Sequence, residues 1–129
     1  MSQAQATLNT FKGQVIQFLD ELIQQFPQEA DLVLARIYVK DRVSAQSLIT
    51  TFIQEALPYE EQINNYDEQF FLENAGKMFG SDNSANVVHF SNLWKSNALD
   101  KSDRDAFFEW FKAFIFLAKK WQTIMKDLP

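Results

Sequence analysis

Residues 107–121 read FFEWFKAFIFLAKKW, and this stretch decides the fold class of the chain. Its apolar residues recur at intervals of three and four, which is the spacing of one face of an α-helix. The pattern predicts a helix from about Asp103 to Lys126, with acidic residues near its start and lysines near its end, as the helix dipole favours. Ser102 and Asp105 are expected to form a capping box at its beginning.

The same helical spacing runs through most of the 129 residues, and only three Gly and three Pro interrupt it. Further helices are predicted at residues 4–26, 29–43, 45–57, from 58 onward and 85–95. Ser44 is the expected N-cap of the third helix, residues 1–5 are expected to be flexible, and residues 76–85 to form an internal loop. The sequence thus predicts an all-α fold: one compact bundle of five to seven helices over residues 1–129, with a long aromatic C-terminal helix.

Composition argues against catalysis. The chain has 13 Phe and three Trp but no Cys and one His, so few of its groups can act as nucleophiles, acids or metal ligands. His89 lacks the neighbouring ligand spacing that a metal or catalytic role needs. The net charge of −5 argues against a general phosphate-binding surface, and the longest apolar run is too short to span a bilayer. We therefore predict no enzymatic activity, no catalytic residue, no cofactor, no small-molecule substrate and no membrane span.

The C-terminal helix carries more apolar residues than one stripe explains. Phe108, Ile115 and Phe116 fall outside the main stripe, and Lys112 and Lys119 flank them. In one interpretation the helix is central and neighbouring helices cover both of its sides. In the other, Phe108, Lys112, Ile115, Phe116 and Lys119 form a homodimer or partner interface, because aromatic side chains with a charged rim are typical of such surfaces.

The second predicted helix also has apolar residues on more than one side. Their positions around its axis are widely spread, at Leu32, Val33, Leu34, Ile37, Val39 and Val43. This distribution favours a helix that neighbouring elements cover on more than one side.

An acidic cluster follows Pro58. On one continuous helix, Glu60, Asn64, Asp67 and Glu68 share a face, and carboxylates on helices can bind Mg²⁺. A Mg²⁺-dependent hydrolase is therefore the third hypothesis, although such sites need carboxylates from a second helix as well. A solvated acidic face is the simpler interpretation, and we predict no metal site.

A modest set of lysines lies on the C-terminal helix at Lys112, Lys119, Lys120 and Lys126. Lysines interleaved with aromatic residues are compatible with nucleic-acid binding. Compensation of the helix dipole explains the same lysines without any ligand. Nucleic-acid association is accordingly the alternative function and not the leading one.

Three stretches, FLDELIQQFPQEADLVLAR, ALPYEEQINNYDEQFFLEN and LWKSNALDKSDRDAFFEWFKAFIFLAKKW, together resemble a group of proteins from large nucleocytoplasmic DNA viruses. These are small, uncharacterised α-helical proteins of phycodnavirus, mimivirus and marseillevirus relatives, and the resemblance extends over about residues 18–121. The matching elements are Phe26-Pro27, Asp67-Glu68 before Phe70-Phe71, and Leu93-Trp94. None is a catalytic signature, and capping of a helix beside Phe70 and Phe71 would be a sufficient role for Asp67 and Glu68.

The resemblance implies a context for the protein and no chemistry. It implies synthesis in the cytoplasm of an infected host cell, with packaging in the virion as a further expectation. Such a protein acts by contact with itself, with other viral proteins or with host proteins. Our leading hypothesis is therefore a non-enzymatic viral interaction protein or virion-associated structural protein that forms a homodimer through its C-terminal helix.

Overall fold

The computed structural model describes residues 2–78 and 99–128, with the side chains of residues 75–78 excepted. Within these ranges every regular element is helical, which confirms the all-α fold class. The α-helices are α1 (Gln3–Gln25), α2 (Ala30–Arg42), α3 (Ala45–Ala56), α4 (Glu60–Asn64), α5 (Glu68–Met78) and α6 (Lys101–Lys126), and a 3₁₀ helix spans Leu57–Tyr59. The predicted helix at 85–95, with His89, and most of the predicted loop at 76–85 lie outside the described residues. No helix within them is both long and apolar enough to cross a membrane.

Short polar side chains set the starts of several helices. The Ser2 hydroxyl accepts a hydrogen bond from the Gln5 backbone N–H at 3.0 Å. The Ser44 hydroxyl accepts one from the Ser47 N–H at 3.1 Å, so the predicted cap of α3 is confirmed. Each bond satisfies a backbone donor that the first helical turn leaves without an intrahelical partner.

The capping box of α6 lies two residues before the predicted one. The Asp103 N–H donates to Asp100 Oδ1 at 2.8 Å, and the Asp100 N–H donates to Asp103 Oδ2 at 3.2 Å. This reciprocal pair caps the helix start in place of Ser102 and Asp105, because α6 begins at Lys101. The prediction identified the type of cap and assigned it to the wrong residues.

The single helix predicted from Pro58 onward is wrong, because the chain turns between α4 and α5. Tyr66 has φ 56°, in the left-handed region that side-chain-bearing residues rarely adopt. The Tyr66 N–H donates to the Ile63 carbonyl at 3.1 Å, and the Asp67 N–H donates to the Gln62 carbonyl at 3.0 Å. This pair of bonds is the Schellman arrangement that ends a helix. Asp67 Oδ1 then accepts the Phe70 N–H at 3.1 Å and caps α5, as expected for this residue.

The chain folds as two compact units, one of residues 1–50 with 116–129 and the other of residues 51–115. In the first unit α1 packs along α2. The buried residues of α1 recur at helical spacing at Thr7, Leu8, Phe11, Val15, Phe18 and Leu22. Lys12 Nζ donates to the Val43 carbonyl at 2.7 Å, and the Arg36 guanidinium forms an ion pair with the Asp20 carboxylate. One side of α2 is thereby fixed against α1.

The second unit has an aromatic core. The Phe71 ring of α5 lies 5.1 Å from the Phe108 ring and 4.7 Å from the Phe111 ring, both on α6. Phe52, near the end of α3, contacts Phe114 edge-on at 5.9 Å between ring centroids. Each of these five rings is buried. Burial of one such side chain stabilises a fold by roughly 1.5–3 kcal/mol, so this cluster contributes strongly to the unit's stability.

Candidate functional site

Phe108, a predicted interface residue, belongs to the aromatic core. Its side chain is 1% exposed, between the Phe71 ring and the Tyr66 ring, which stacks on it at 4.8 Å between centroids with an interplanar angle of 19°. The prediction of an exposed ring here is wrong, since α5 and the turn before it cover the side of α6 that carries Phe108. Ile115 is likewise only 4% exposed, so it too cannot form a contact surface.

Lys112, the predicted rim residue, is held within the chain. Its Nζ donates a hydrogen bond to the Tyr66 hydroxyl at 3.2 Å and lies 4.6 Å from the centroid of the Tyr66 ring. The Tyr66 hydroxyl in turn donates to the Glu109 carboxylate, and Lys112 Nζ lies 3.5 Å from Glu109 Oε1. Ammonium, phenol and carboxylate thus form one connected polar chain at the surface of the second unit.

This polar chain perturbs two titrations. The hydrogen bond from Tyr66 has the largest effect and lowers the pKa of Glu109; desolvation acts against it, and the charge of Lys112 lowers the pKa further. The hydrogen bond with Tyr66 raises the pKa of Lys112, and Glu109 reinforces it. Both shifts favour the charged forms, so the three groups stabilise one another. These contacts connect the turn before α5 to α6. The three side chains form them with one another.

Phe116 and Lys119, the remaining predicted interface residues, belong to the first unit and are exposed, Phe116 to 67%. The residues three and four positions away from Phe116 on α6 are Lys112, Ala113, Lys119 and Lys120, so no second large apolar side chain adjoins it on the helix. Single exposed apolar residues are ordinary at protein surfaces. The structure therefore does not gather the five predicted residues into one exposed patch.

The acidic face predicted at Glu60, Asn64, Asp67 and Glu68 is also wrong. The turn at Tyr66 separates Glu60 and Asn64 on α4 from Glu68 on α5, which removes the continuous helix on which that face depended. Glu68 instead forms an ion pair with Arg104 at 3.2 Å. Across residues 2–74 and 99–128, no group of three His, Cys, Asp or Glu side chains is placed to hold a metal ion.

The largest group of exposed, large apolar side chains among the described residues lies on α2. Val33 is 40% exposed, Leu34 62%, Ile37 46% and Tyr38 58%. Leu34, Ile37 and Tyr38 follow Val33 by one, four and five positions, so the four residues lie on one side of the helix. We call this side the outward face of α2. Val39, on the opposite side, is the buried residue of this helix. The prediction that α2 is covered on more than one side is therefore wrong.

The sequence did contain the signal for this face. In LVLARIY, residues 32–38, apolar positions occupy two opposite sides of one helix. One side meets α1, and nothing in the spacing itself says whether a second neighbour is present. Widely spread apolar residues are compatible both with a buried helix and with a helix that binds a partner.

Lys119 and Lys120 are both exposed on the C-terminal part of α6. Compensation of the helix dipole is a sufficient reason for exposed lysines at this end of the helix. Nucleic-acid binding therefore stays a prediction, and the exposure of these lysines adds no support to it. Comparison of the chain with models of known families, with curated proteins and with solved structures gave no match. The resemblance to viral proteins therefore stays a prediction.

Proposed function

We propose that this protein is non-enzymatic and acts by protein–protein contact, first of all by forming a homodimer through the outward face of α2. The observation that carries the proposal is the grouping of Val33, Leu34, Ile37 and Tyr38 at 40% exposure or more on one helix side. Burial of such side chains against another protein chain recovers roughly 25 cal/mol for each Å² removed from water.

Self-association is a natural use for this face. Monomers rarely leave large apolar side chains grouped at the surface, and most homo-oligomers are two-fold dimers in which the same patch on each copy is used. The charges beside the outward face, Asp31 at one end of α2 and Lys40 and Arg42 at the other, also match those of a second copy in reverse order. A homodimer was predicted from the sequence, and the proposal moves its interface from α6 to α2.

The biological setting rests on the sequence resemblance alone. As part of the proposal, the protein is virion-associated or acts in the cytoplasm of an infected host cell, where other viral or host proteins are further partners. Mass spectrometry of purified particles tests that setting. It does so separately from any test of the dimer.

The dimer is tested by sedimentation velocity over a range from about 5 to 500 µM. We expect the native chain to shift from monomer towards dimer with concentration, and the double variant Leu34→Glu with Ile37→Glu to remain monomeric. The matched control is Met125→Glu with Leu128→Glu, which makes the same chemical change at two exposed apolar residues outside α2. A native chain that stays monomeric over the whole range, or a control that dissociates equally, contradicts the proposal.

A further inference from the structure

Charged residues border the outward face of α2 in a definite order. With about 100° of rotation per residue, Asp31 and Arg42 lie on one flank of the face, and Lys40 lies on the other. Asp31 is in the first turn of the helix, and Lys40 and Arg42 are in the last. None of the three side chains forms a hydrogen bond or ion pair with the other described residues.

From this arrangement we infer that two copies of the chain pair their α2 helices in antiparallel orientation. The inference rests on the proposed function and adds its geometry. A two-fold axis perpendicular to the paired helices brings the same flank of each copy together, with the chain directions reversed. Asp31 then lies beside Arg42 of the second copy, and the symmetric contact forms at the other end.

The apolar residues match in the same register. With the axis passing between residues 35 and 36, Leu34 lies beside Tyr38 of the second copy on one half of the face, and Val33 lies beside Ile37 of the second copy on the other half. Each pair joins a smaller with a larger or differently shaped side chain, which helps interdigitation across a helix pair. Ala30 lies opposite Asp41 of the second copy, so that this carboxylate meets a helix N-terminus, where negative charge is favoured.

A parallel pairing lacks these advantages. Its two-fold axis runs along the helices and brings opposite flanks together, so Asp31 does not meet Arg42 of the second copy, and the two helix dipoles are aligned. The loss of both attractive contacts and the parallel dipoles disfavour this orientation. The charge order on the flank thus selects the antiparallel orientation.

The interface is small. α2 has 13 residues, and one helix pair of that length buries less than the ~800 Å² per partner of a standard interface. We therefore expect a weak, concentration-dependent dimer. The orientation of the two helices is best tested by disulfide cross-linking together with charge-reversal variants.

The chain contains no Cys, so introduced cysteines report cross-links without background. We expect an equimolar mixture of Ala30→Cys and Asp41→Cys chains to form a disulfide-linked heterodimer under mild oxidation. Either variant alone should cross-link little, since two residues at position 30 lie about 16 Å apart along the helix axis, beyond the ~7 Å that a disulfide can bridge. A mixture of Ala30→Cys with Gln122→Cys, an exposed position on α6, measures random collision.

Charge reversal tests the flank itself. We expect Asp31→Arg and Arg42→Asp each to weaken self-association roughly tenfold, because each replaces two attractive contacts by two repulsive ones. An equimolar mixture of the two variants should recover the native affinity, since every contact is then attractive. In a parallel dimer Asp31 and Arg42 of the two copies lie at opposite ends and on opposite flanks, so either single reversal leaves the affinity nearly unchanged. The denaturation midpoint of each variant shows whether its fold is intact.

The outcomes separate the two proposals. If the native chain never dimerises, both are refuted. If it dimerises through Leu34 and Ile37 but Ala30→Cys cross-links to itself, or if the single charge reversals have no effect, the antiparallel pairing is overturned and the dimer stands. Heterotypic cross-linking with recovery in the mixture supports both.

Discussion

The C-terminal helix α6 and the second helix α2 both carry apolar side chains on more than one side, and the structure treats them in opposite ways. On α6, Phe108 and Ile115 lie outside the main stripe and are nevertheless buried, at 1% and 4% exposure. On α2, Leu34 and Tyr38 are 62% and 58% exposed. The interface interpretation of the sequence placed spare apolar surface on α6, and the spread of apolar residues on α2 predicted cover on more than one side of that helix.

The difference shows what periodicity can and cannot report. Apolar spacing indicates which sides of a helix are apolar. It does not indicate which neighbouring segment packs against those sides. Phe108 is covered by Phe71 and by Tyr66, residues that the chain brings back through a turn that the sequence did not reveal. Coverage is a property of the tertiary fold.

The largest test of this comparison is Phe108→Ala. Removal of a buried ring from the aromatic core should lower the free energy of unfolding by about 3–5 kcal/mol. Chemical denaturation followed by circular dichroism measures it. A loss below about 1 kcal/mol means that Phe108 is a surface residue, as the interface interpretation of α6 required.

The companion substitution is Leu34→Ala on the outward face of α2. In dilute solution, where the chain is monomeric, we expect its free energy of unfolding to change by no more than about 0.5 kcal/mol, because the side chain is already in water. A loss comparable to that of Phe108→Ala would show that another part of the same chain covers this face.

The next largest effect concerns the turn that brings Tyr66 over Phe108. Asp67→Ala removes the acceptor for the Phe70 N–H and should destabilise the fold by about 0.5–2 kcal/mol. Asp67→Asn is the matched control, because Asn is as good an N-cap and should retain most of the stability. Equal losses in the two variants would assign the effect to the charge of Asp67 and not to its cap.

This turn also marks how far the sequence could specify the fold. Helix positions from Gln3 to Ala56, the cap at Ser44 and the long C-terminal helix followed from spacing and cap residues. The break at Tyr66 did not, because left-handed backbone at a helix end usually falls on Gly or Asn, and here a Tyr adopts it after Asn64 and Asn65. A non-Gly residue in this conformation costs about 1–3 kcal/mol of local strain, which the surrounding contacts must offset.

The candidate site was harder to predict for the same reason. Of the five interface residues predicted on α6, Phe108 and Ile115 are buried and Lys112 is bound to Tyr66 and Glu109. The face that is exposed lies on α2 and has no distinctive residue type, only apolar residues at helical spacing. Its identification required the exposure of each side chain in the folded chain.

Tyr66→Phe tests the polar chain beside Phe108. It retains the stacked ring and removes the hydroxyl that joins Lys112 to Glu109, so a loss of about 1 kcal/mol is expected near neutral pH. The pKa of Glu109 is lowered in the folded state. Its contribution to the free energy of unfolding is therefore complete above the ordinary carboxyl pKa of 4.5 and is lost as the pH falls through the folded-state pKa. The stability difference between native and variant chains should therefore shrink in acid. A difference that stays constant down to pH 2 would refute the role of Glu109.

The pKa of Lys112 is raised, so its contribution behaves in the opposite sense. It is complete below the ordinary value of 10.5 and is lost as pH rises through the higher folded pKa. Denaturation of the native chain and of Tyr66→Phe at several pH values above 9 measures this loss of stability in alkali. Lys112→Met, which keeps the aliphatic stem, should remove the alkaline dependence and leave the acidic one reduced.

The only gain in stability among these predictions is expected at Gly13, in the exposed middle of α1. A Cβ added there meets nothing within 4 Å, so Gly13→Ala should stabilise the helix by about 0.5–1 kcal/mol through the backbone alone. This gain measures what an exposed helical position contributes without any packing. If Leu34 is in water, Leu34→Ala changes the free energy of unfolding by less than this gain, whereas a covered Leu34 changes it by several times as much in the opposite direction. The two substitutions, measured in the same dilute buffer, therefore decide whether the outward face of α2 is open for a second copy.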